Sequence, residues 1–450
     1  MIPIRLGEID SATLVRGDPD LAITSIVADS RLARAGALFV CLRGSRSDGH
    51  EFVADAAARG AVAALCTRDP DSGAAGLALL DADEPLAALA GIARLVRRRC
   101  RARVLGIAGS AGKTSTKDVL RALLAAHLPT VASPASYNNE LGLPLTLSLL
   151  EPETAVCVCE LGTGAPGELA ALCRIAEPEL GLITAIGPEH LEFFGTIEAV
   201  AAEEAALIAA LPRGAPLVLP GNSELLDPYR RSDLEEWRFG LDATADVHPL
   251  AWWTGTEATE AVFSVRGTRV AITIGLRLLH HRLTVAAAVA AYAALGLPLA
   301  RIAEGASAIE LSPWRGQEQP LADGRLLIND AYNANPLSMA AALEALAARR
   351  NGGRAIAVLG AMTELGPDAP RWHANAGRHA ARLGLDLLVA VGPGARAYLD
   401  GAAGRIECCW LADTTTAAHV LETLLRPRDV LLLKASRSAG LERLAEALER

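Results

Sequence analysis

One decapeptide constrains this chain more than any other stretch: Gly106-Ile107-Ala108-Gly109-Ser110-Ala111-Gly112-Lys113-Thr114-Ser115. Residues 104–107 before the turn read as a short buried strand, and residues 113–126 after it as a helix. A strand that turns through glycines straight into a helix aims backbone N–H groups and the positive helix end at one point, which suits a polyphosphate. Lys113 is then placed to reach the β- and γ-phosphates and the Thr114 hydroxyl to ligate Mg²⁺. Gly109, Ser110, Ala111, Gly112 and Ser115 complete the cradle. The strict P-loop spacing is not met, because its first glycine position is Ile107. The loop instead has the form G-[ST]-x-G-K-[ST].

A chain of 450 residues holds two to four domains at roughly 100–200 residues each. Acidic residues outnumber basic ones, 52 to 43, for a formal charge of −9. That balance argues against a non-specific nucleic-acid binder. With 51% hydrophobic and 21% charged residues, disorder is excluded as a class. Aromatics are only 4%, so the core is built from Ala, Leu, Val and Ile. The eight cysteines include no C-x-x-C pair and no Cys/His group with zinc spacing. They read as buried thiols in a reducing compartment. The N-terminus lacks a charged region followed by an apolar one, as a secretory signal would have. The longest weakly polar run, residues 283–297, falls short of the roughly 20 residues a membrane span needs. The expectation is a cytoplasmic protein with no membrane insertion and no nucleic-acid partner.

Residues 1–100 read as a self-contained α/β unit, with strands at 37–42 and 61–66 and a short helix at 52–59. Arg97-Arg98-Arg99, with Arg101 and Arg103, reads as a solvated helix end and linker. Residues 155–159 and 181–186 are further strands, 196–211 is helical, 216–275 is rich in β-like runs, and 284–295 is an Ala-rich helix. Beyond about residue 316, strands near 326, 355, 385, 406 and 430 alternate with helices, which implies a parallel doubly wound sheet. The fold class expected is α/β with three domains: 1–100, 101–315 with a P-loop-type ATPase core, and 316–450 with a Rossmann-like doubly wound sheet.

Ends of parallel strands point toward the ligand crevice. Glu160 ends one such run and suits Mg²⁺, which prefers oxygen ligands. His190 lies a few residues past another strand. Asp330-Ala331-Tyr332-Asn333-Ala334-Asn335-Pro336 is a third strand-end loop. It offers an acid, a ring and two amides; by composition alone it is equally a helix-capping turn.

Taken in order, these motifs resemble the Mur ligase family, the ATP-dependent amide ligases of peptidoglycan synthesis. The resemblance spans nearly the whole chain. It rests on Asp29-Ser30-Arg31, the stretch from Gly44 to His50, the phosphate loop, and Tyr137-Asn138-Asn139-Glu140-Leu141-Gly142. It continues through Glu160-Leu161-Gly162, residues 190–195, Arg315, the 330–336 loop, residues 359–366, and Lys434-Ala435-Ser436-Arg437. It implies a first domain for a UDP-sugar, with Ser30 and Arg31 near it, and Asn138 and Asn139 near the muramyl end. Arg315, Asp330, Tyr332 and Asn333 would contact the nucleotide. Lys434, Ser436 and Arg437 would face the incoming dipeptide. Lys113, Glu160, His190 and Glu204 would be catalytic, and Thr114, Glu160, His190 and Glu204 would hold metal. The implied activity is ATP-dependent joining of D-alanyl-D-alanine to UDP-N-acetylmuramoyl-tripeptide through an acyl phosphate, by a monomer.

Some positions depart from the family pattern. Glu204 stands where a carbamylated lysine is usual, and is expected to replace that carbamate as an anionic metal ligand. The string His281-Arg282-Leu283-Thr284-Val285 lacks the two asparagines that help to hold adenine. Ala185, Ala361 and Ala435 replace the usual Asn, Asp and Gly. These losses touch base recognition more than phosphoryl chemistry, and leave Tyr332 as the main stacking candidate for adenine. Two other readings stand beside the ligase: a Mur-like enzyme joining another acid and amine, and a nucleotide-binding paralogue with little ligase activity.

Overall fold

A computed structural model describes residues 1–45, 47–68, 76–350 and 352–448. Arg46, within the Gly44 to His50 string, lies outside the described residues. The chain forms three α/β units, each on its own main sheet. The first has five strands in the order Thr13–Arg16, Ala78–Asp81, Ala61–Cys66, Ala37–Val40 and Ser25–Val27. All neighbours are parallel except the first pair. The helix Pro85–Arg99 leads out of it, with Pro85 at a favoured first-turn position.

Arg97 is not the solvated helix end expected. It is buried and donates to the Ala176 and Glu177 carbonyls (3.2 and 3.3 Å) and to Glu179 Oε1 (2.5 Å). Arg98 pairs with Glu177 at 2.6 Å. This basic run therefore clamps the first unit to the second. The apolar core does the same. One buried cluster runs from Ile4, Leu89 and Val96 through Leu143, Cys157 and Leu172 to Leu219, without a break between the two units.

The central sheet has nine strands. Arg103–Ala108, which carries the glycine turn, lies between Val156–Glu160 and Leu180–Ile183, parallel to both. This puts the ends of three strands, near Ala108, Glu160 and Ile183, at one edge. The helices Lys113–Ala125 and His281–Ala294 pack together over one face, on Ala, Leu and Val side chains. The far end of the sheet is an antiparallel meander of Val247–Thr254, Thr259–Val265 and Thr268–Ile274. The helix expected over 196–211 is broken at Ala205 into Ile197–Glu204 and Ala206–Ala210.

The third unit is a six-stranded sheet with five parallel strands, ordered Leu326–Asp330, Val430–Lys434, Ala355–Leu359, Leu387–Val391 and Glu407–Leu411. An antiparallel edge strand, Gln317–Pro320, is added. It was not expected from the sequence, because Gln-Glu-Gln-Pro carries no alternation of apolar and polar residues. Buried clusters lie on both faces, as a doubly wound sheet requires.

Candidate active site

The glycine turn folds as its sequence dictates. Gly109 (φ 119°) and Gly112 (φ 86°) occupy the left-handed region. A Cβ on Gly109 would lie 2.4 Å from Thr184 Oγ1 and 2.9 Å from the Ala185 carbonyl. The neighbouring strand end thus clamps the loop, and the Ser110 amide donates to the Ala185 carbonyl at 2.7 Å. Lys113 donates back to the Gly109 carbonyl.

In front of the loop lies a cavity of ≈ 330 Å³, lined by Lys113, Thr114, Glu160, Glu189, His190 and Arg315, among others. Glu160 Oε1 accepts from Thr114 Oγ1 (3.1 Å) and Asn138 Nδ2 (2.9 Å), while its backbone amide donates to Ser133 Oγ (3.0 Å). Arg315 Nη2 donates to Thr114 Oγ1 (3.0 Å) and Ser136 Oγ (3.3 Å). His190 takes up a left-handed conformation (φ 48°), and its Nδ1 meets Glu364 Oε2 at 2.5 Å. Asn139 and Asn333 also line this cavity.

Glu189, beside the expected His190, carries no strand-end or motif signal in the sequence. It is buried, and its Oε1 has no hydrogen-bond partner among the described residues; neither does Glu160 Oε2. Two orphaned carboxylate oxygens beside a threonine hydroxyl suit a hard divalent cation, which takes oxygen ligands. Burial pushes the Glu189 carboxyl up to about 8, against the pull of Lys113 and with a further push from Glu204. Burial alone would lower Lys113, but Glu189, Glu204 and Glu160 outweigh it and hold the ammonium above its ordinary value.

A carboxyl raised from 4.5 to about 8 stabilises the folded state at low pH. The unfolded chain gives up that proton first, so the contribution is lost as pH rises between the two values. In Mg²⁺-free buffer, the melting temperature is expected to fall across this window. Glu189→Gln should flatten that fall; an unchanged slope would assign the pH dependence elsewhere.

Glu204, expected as a metal ligand, lies against the phosphate loop, and its Oε1 has no hydrogen-bond partner among the described residues. Its side chain is fully buried and does not line the cavity. Oε2 accepts from the Gly109 amide at 2.6 Å. Burial raises its carboxyl, against the pull of Lys113 and the Gly109 amide. Glu204 therefore holds the phosphate loop from behind. Removing it would leave a buried amide unpaired, at a cost of about 1–3 kcal/mol. Glu204→Ala is expected to lower the melting temperature and turnover while leaving the Mg²⁺ concentration for half-maximal rate unchanged. A large shift in that concentration would restore the metal role. Glu203 braces the other side, accepting from the Gly167 and Leu169 amides at 2.8 Å each.

A second, more apolar cavity of ≈ 360 Å³ adjoins the first behind the loop. Ser115, Asp330 and Lys434 line it, and Ser110, Ala111, Gly112, Arg315 and Asn333 line both. His280 and Thr284, four apart at the start of one helix, also face it. The aligned string thus presents His280 to this space, while the His281 side chain is buried beside it. Tyr332 lines the first cavity and not this one, and the Arg315 guanidinium covers its ring at 3.9 Å. Arg315 thus packs on the Tyr332 ring that was expected to stack on adenine.

Lys434 Nζ pairs with Asp330 Oδ2 at 2.6 Å and donates to the Asn333 carbonyl at 3.0 Å. Ser436 is buried, joining the Ala334 carbonyl and the Thr363 amide. Arg437 stacks on Trp314 at 4.2 Å. Neither Ser436 nor Arg437 lines the two cavities. Ser30 and Arg31 also lie apart from them, in the first unit. The Ser30 hydroxyl holds the Asp55 carboxyl below its ordinary value, and Arg31 pairs with Asp29 at 2.6 Å.

The third unit reaches the loop directly. Asn335 Nδ2 donates to the Ser110 carbonyl at 2.8 Å, and the Glu192 amide donates to the Glu364 carbonyl at 3.0 Å. A glycine cradle, a lysine, carboxylates with orphaned oxygens and a third unit bonded to the loop together define a nucleotide-handling site.

Comparison with known proteins refines that class. Residues 107–293 match the Mur ligase middle domain, 315–437 the Mur ligase glutamate ligase domain, and 22–97 the Mur ligase family catalytic domain. The UDP-N-acetylmuramoyl-tripeptide–D-alanyl-D-alanine ligase of Mycobacterium leprae is 34% identical, over 99% of this chain and 97% of its own length. The enzyme of that name from Escherichia coli is 32% identical, over 96% and 94%. Among solved structures, MurF from Acinetobacter baumannii superposes with a TM-score of 0.84 at 28% identity, covering 96% of this chain and 95% of that one. MurF ligase from Thermotoga maritima in complex with ADP gives 0.82, also at 28% identity, covering 94% and 97%. The chain belongs to the Mur ligase family.

Proposed function

We infer that this protein is an ATP-dependent ligase that adds D-alanyl-D-alanine to UDP-N-acetylmuramoyl-tripeptide in peptidoglycan synthesis. The observation that carries the reading is the convergence of Lys113, Glu160, Glu189 and Arg315 on one cavity between the central and C-terminal units. The likeness to ligases of that name over almost the whole chain supports the choice of substrates.

A carboxylate acylates poorly until one of its oxygens carries phosphate, and its approach to ATP brings anions together. Lys113, the helix end behind Gly112, and Arg315 oppose that repulsion, which is mainly electrostatic and positional work. Thr114, Glu160 and Glu189 would hold Mg²⁺, with His190 beside them. When bound, the cation would neutralise phosphate charge. Asn138 and Asn139 would orient the muramyl end, and Lys434 and Asp330 the nucleotide side of the closed cleft. The substrate carboxylate takes the γ-phosphoryl group of ATP, leaving ADP; the dipeptide amine then attacks the acyl-phosphate carbonyl, gives up a proton, and expels phosphate as the amide forms. Holding acid and amine in one cleft supplies the orientation.

The domain roles follow: 1–100 for the UDP-sugar, 101–315 for ATP, and 316–450 to close over both. We place the activity in the cytoplasm of a cell-wall-building organism, carried by a monomer. The eight free cysteines fit a reducing compartment. Among the described residues, no helix is long and apolar enough to cross a membrane.

The test incubates the protein with ATP, Mg²⁺, UDP-N-acetylmuramoyl-tripeptide and D-alanyl-D-alanine, and follows phosphate release and product mass. Product that requires both substrates supports the reading. Turnover without that product points to another acid and amine, and nucleotide binding without turnover points to a scaffold.

A further inference from the structure

We propose that Cys41, Cys66 and His50 form a binding site for a soft divalent cation, of which Zn²⁺ is the type, within the N-terminal unit. The sequence hid this group because zinc spacing relies on ligands close in the chain, and 25 residues separate the two cysteines. Adjacent strands bring them together. Val40 and Leu65 are register partners on neighbouring parallel strands, and the Cys41 amide donates to the Leu65 carbonyl at 2.8 Å. The two sulfurs lie 3.2 Å apart, and a His50 ring nitrogen is within 4.8 Å of both. All three residues are buried. Among the described residues, no other three His, Cys, Asp or Glu side chains meet in this way.

The histidine is prepared for the task. Asp48 Oδ1 accepts from the His50 amide (3.0 Å) and meets Nδ1 at 2.6 Å. A carboxylate on one ring nitrogen settles the tautomer and leaves the Nε2 lone pair as the ligand, as in carboxylate–histidine–zinc sites. The turn that carries His50 is pressed on the strand end. A Cβ on Gly49 would lie 2.6 Å from the Leu42 amide nitrogen and 3.0 Å from Cys41 Cα. Nε2 now accepts a longer bond, 3.2 Å, from the Thr67 amide and lies 3.3 Å from the Thr67 hydroxyl, and the cation would displace both.

Zinc–sulfur bonds of about 2.3 Å in a tetrahedron put two sulfurs about 3.7 Å apart, so the pair opens by about half an ångström. Binding expels the two thiol protons and leaves the fourth position to water. With no cation, the bond to Cys66 and burial hold the Cys41 thiol protonated. Cys157 and Cys159 lie 3.6 Å apart on one strand, without an imidazole to complete a triad, and serve as the internal control.

The experiment titrates Co²⁺ into the reduced, chelator-treated full-length protein. Expected is a thiolate-to-cobalt charge-transfer band saturating at one ion per chain and bleached by Zn²⁺. C41A and C66A should each abolish it, and the C157A/C159A double variant should keep it. Zn²⁺ should also slow alkylation of Cys41 and Cys66, read by mass mapping in the wild type, which keeps the test valid if a variant does not fold. No band, a band that survives both single variants, or alkylation unaffected by Zn²⁺ overturns the site. So does a two-dalton mass loss joining Cys41 to Cys66 without metal uptake after reduction, which would mark a redox pair.

Discussion

Lys113→Ala is expected to lower turnover by about three orders of magnitude, the upper range for removing one preorganised charge or donor from a transition state. The lysine is surrounded by Glu189, Glu204 and Glu160, so its loss has two effects. The transferring phosphoryl group loses a cation, and the neighbouring carboxyls lose the charge that favours their ionised form. Lys113→Arg should rescue poorly, since a planar guanidinium cannot repeat the short ammonium contact with the Gly109 carbonyl. The measurement is kcat with saturating substrates, with the melting temperature taken alongside. If activity survives while the fold is intact, the loop does not hold phosphate.

Glu160→Ala has the second largest expected effect. One oxygen of Glu160 organises Thr114 and Asn138, and the other is buried and unpartnered. Losing it removes a proposed metal ligand and frees two neighbours at once. The Mg²⁺ concentration for half-maximal rate should rise by at least tenfold, and kcat should fall by about a hundredfold. Titrating Mg²⁺ at fixed ATP checks this. A fall in kcat with an unmoved Mg²⁺ requirement would make Glu160 a positioning residue only.

Much of this site was legible in the sequence for a physical reason. A glycine turn between a strand and a helix has few conformations, so Gly109, Gly112, Lys113 and Thr114 could be placed from their order alone. Glu160 was legible because a strand's last residue faces the crevice. Glu189 was not, because it lies in a coil whose direction depends on the left-handed turn at His190. Glu204 was legible only as an anionic side chain on a helix; its burial and its contact with the Gly109 amide depend on how that helix, broken at Ala205, packs against the loop. Tyr332 and Arg315 each looked like nucleotide contacts. Only the fold reveals that they stack on each other. The Cys41–His50–Cys66 group depends on strand order, which local patterns do not encode.

The two joints between the units are built of different materials. The first unit shares a continuous apolar core with the second. The third meets the second largely through polar contacts, at Asn335–Ser110, His190–Glu364 and the Arg277–Glu318 ion pair, and Leu278 of the second unit enters its apolar core. The first two units are therefore joined mainly by apolar contact, and the third is joined to them mainly by polar contact. Apolar contacts weaken on cooling and ionic ones weaken in salt. Salt should thus weaken the joint of the third unit more than that of the first, and cold should do the reverse.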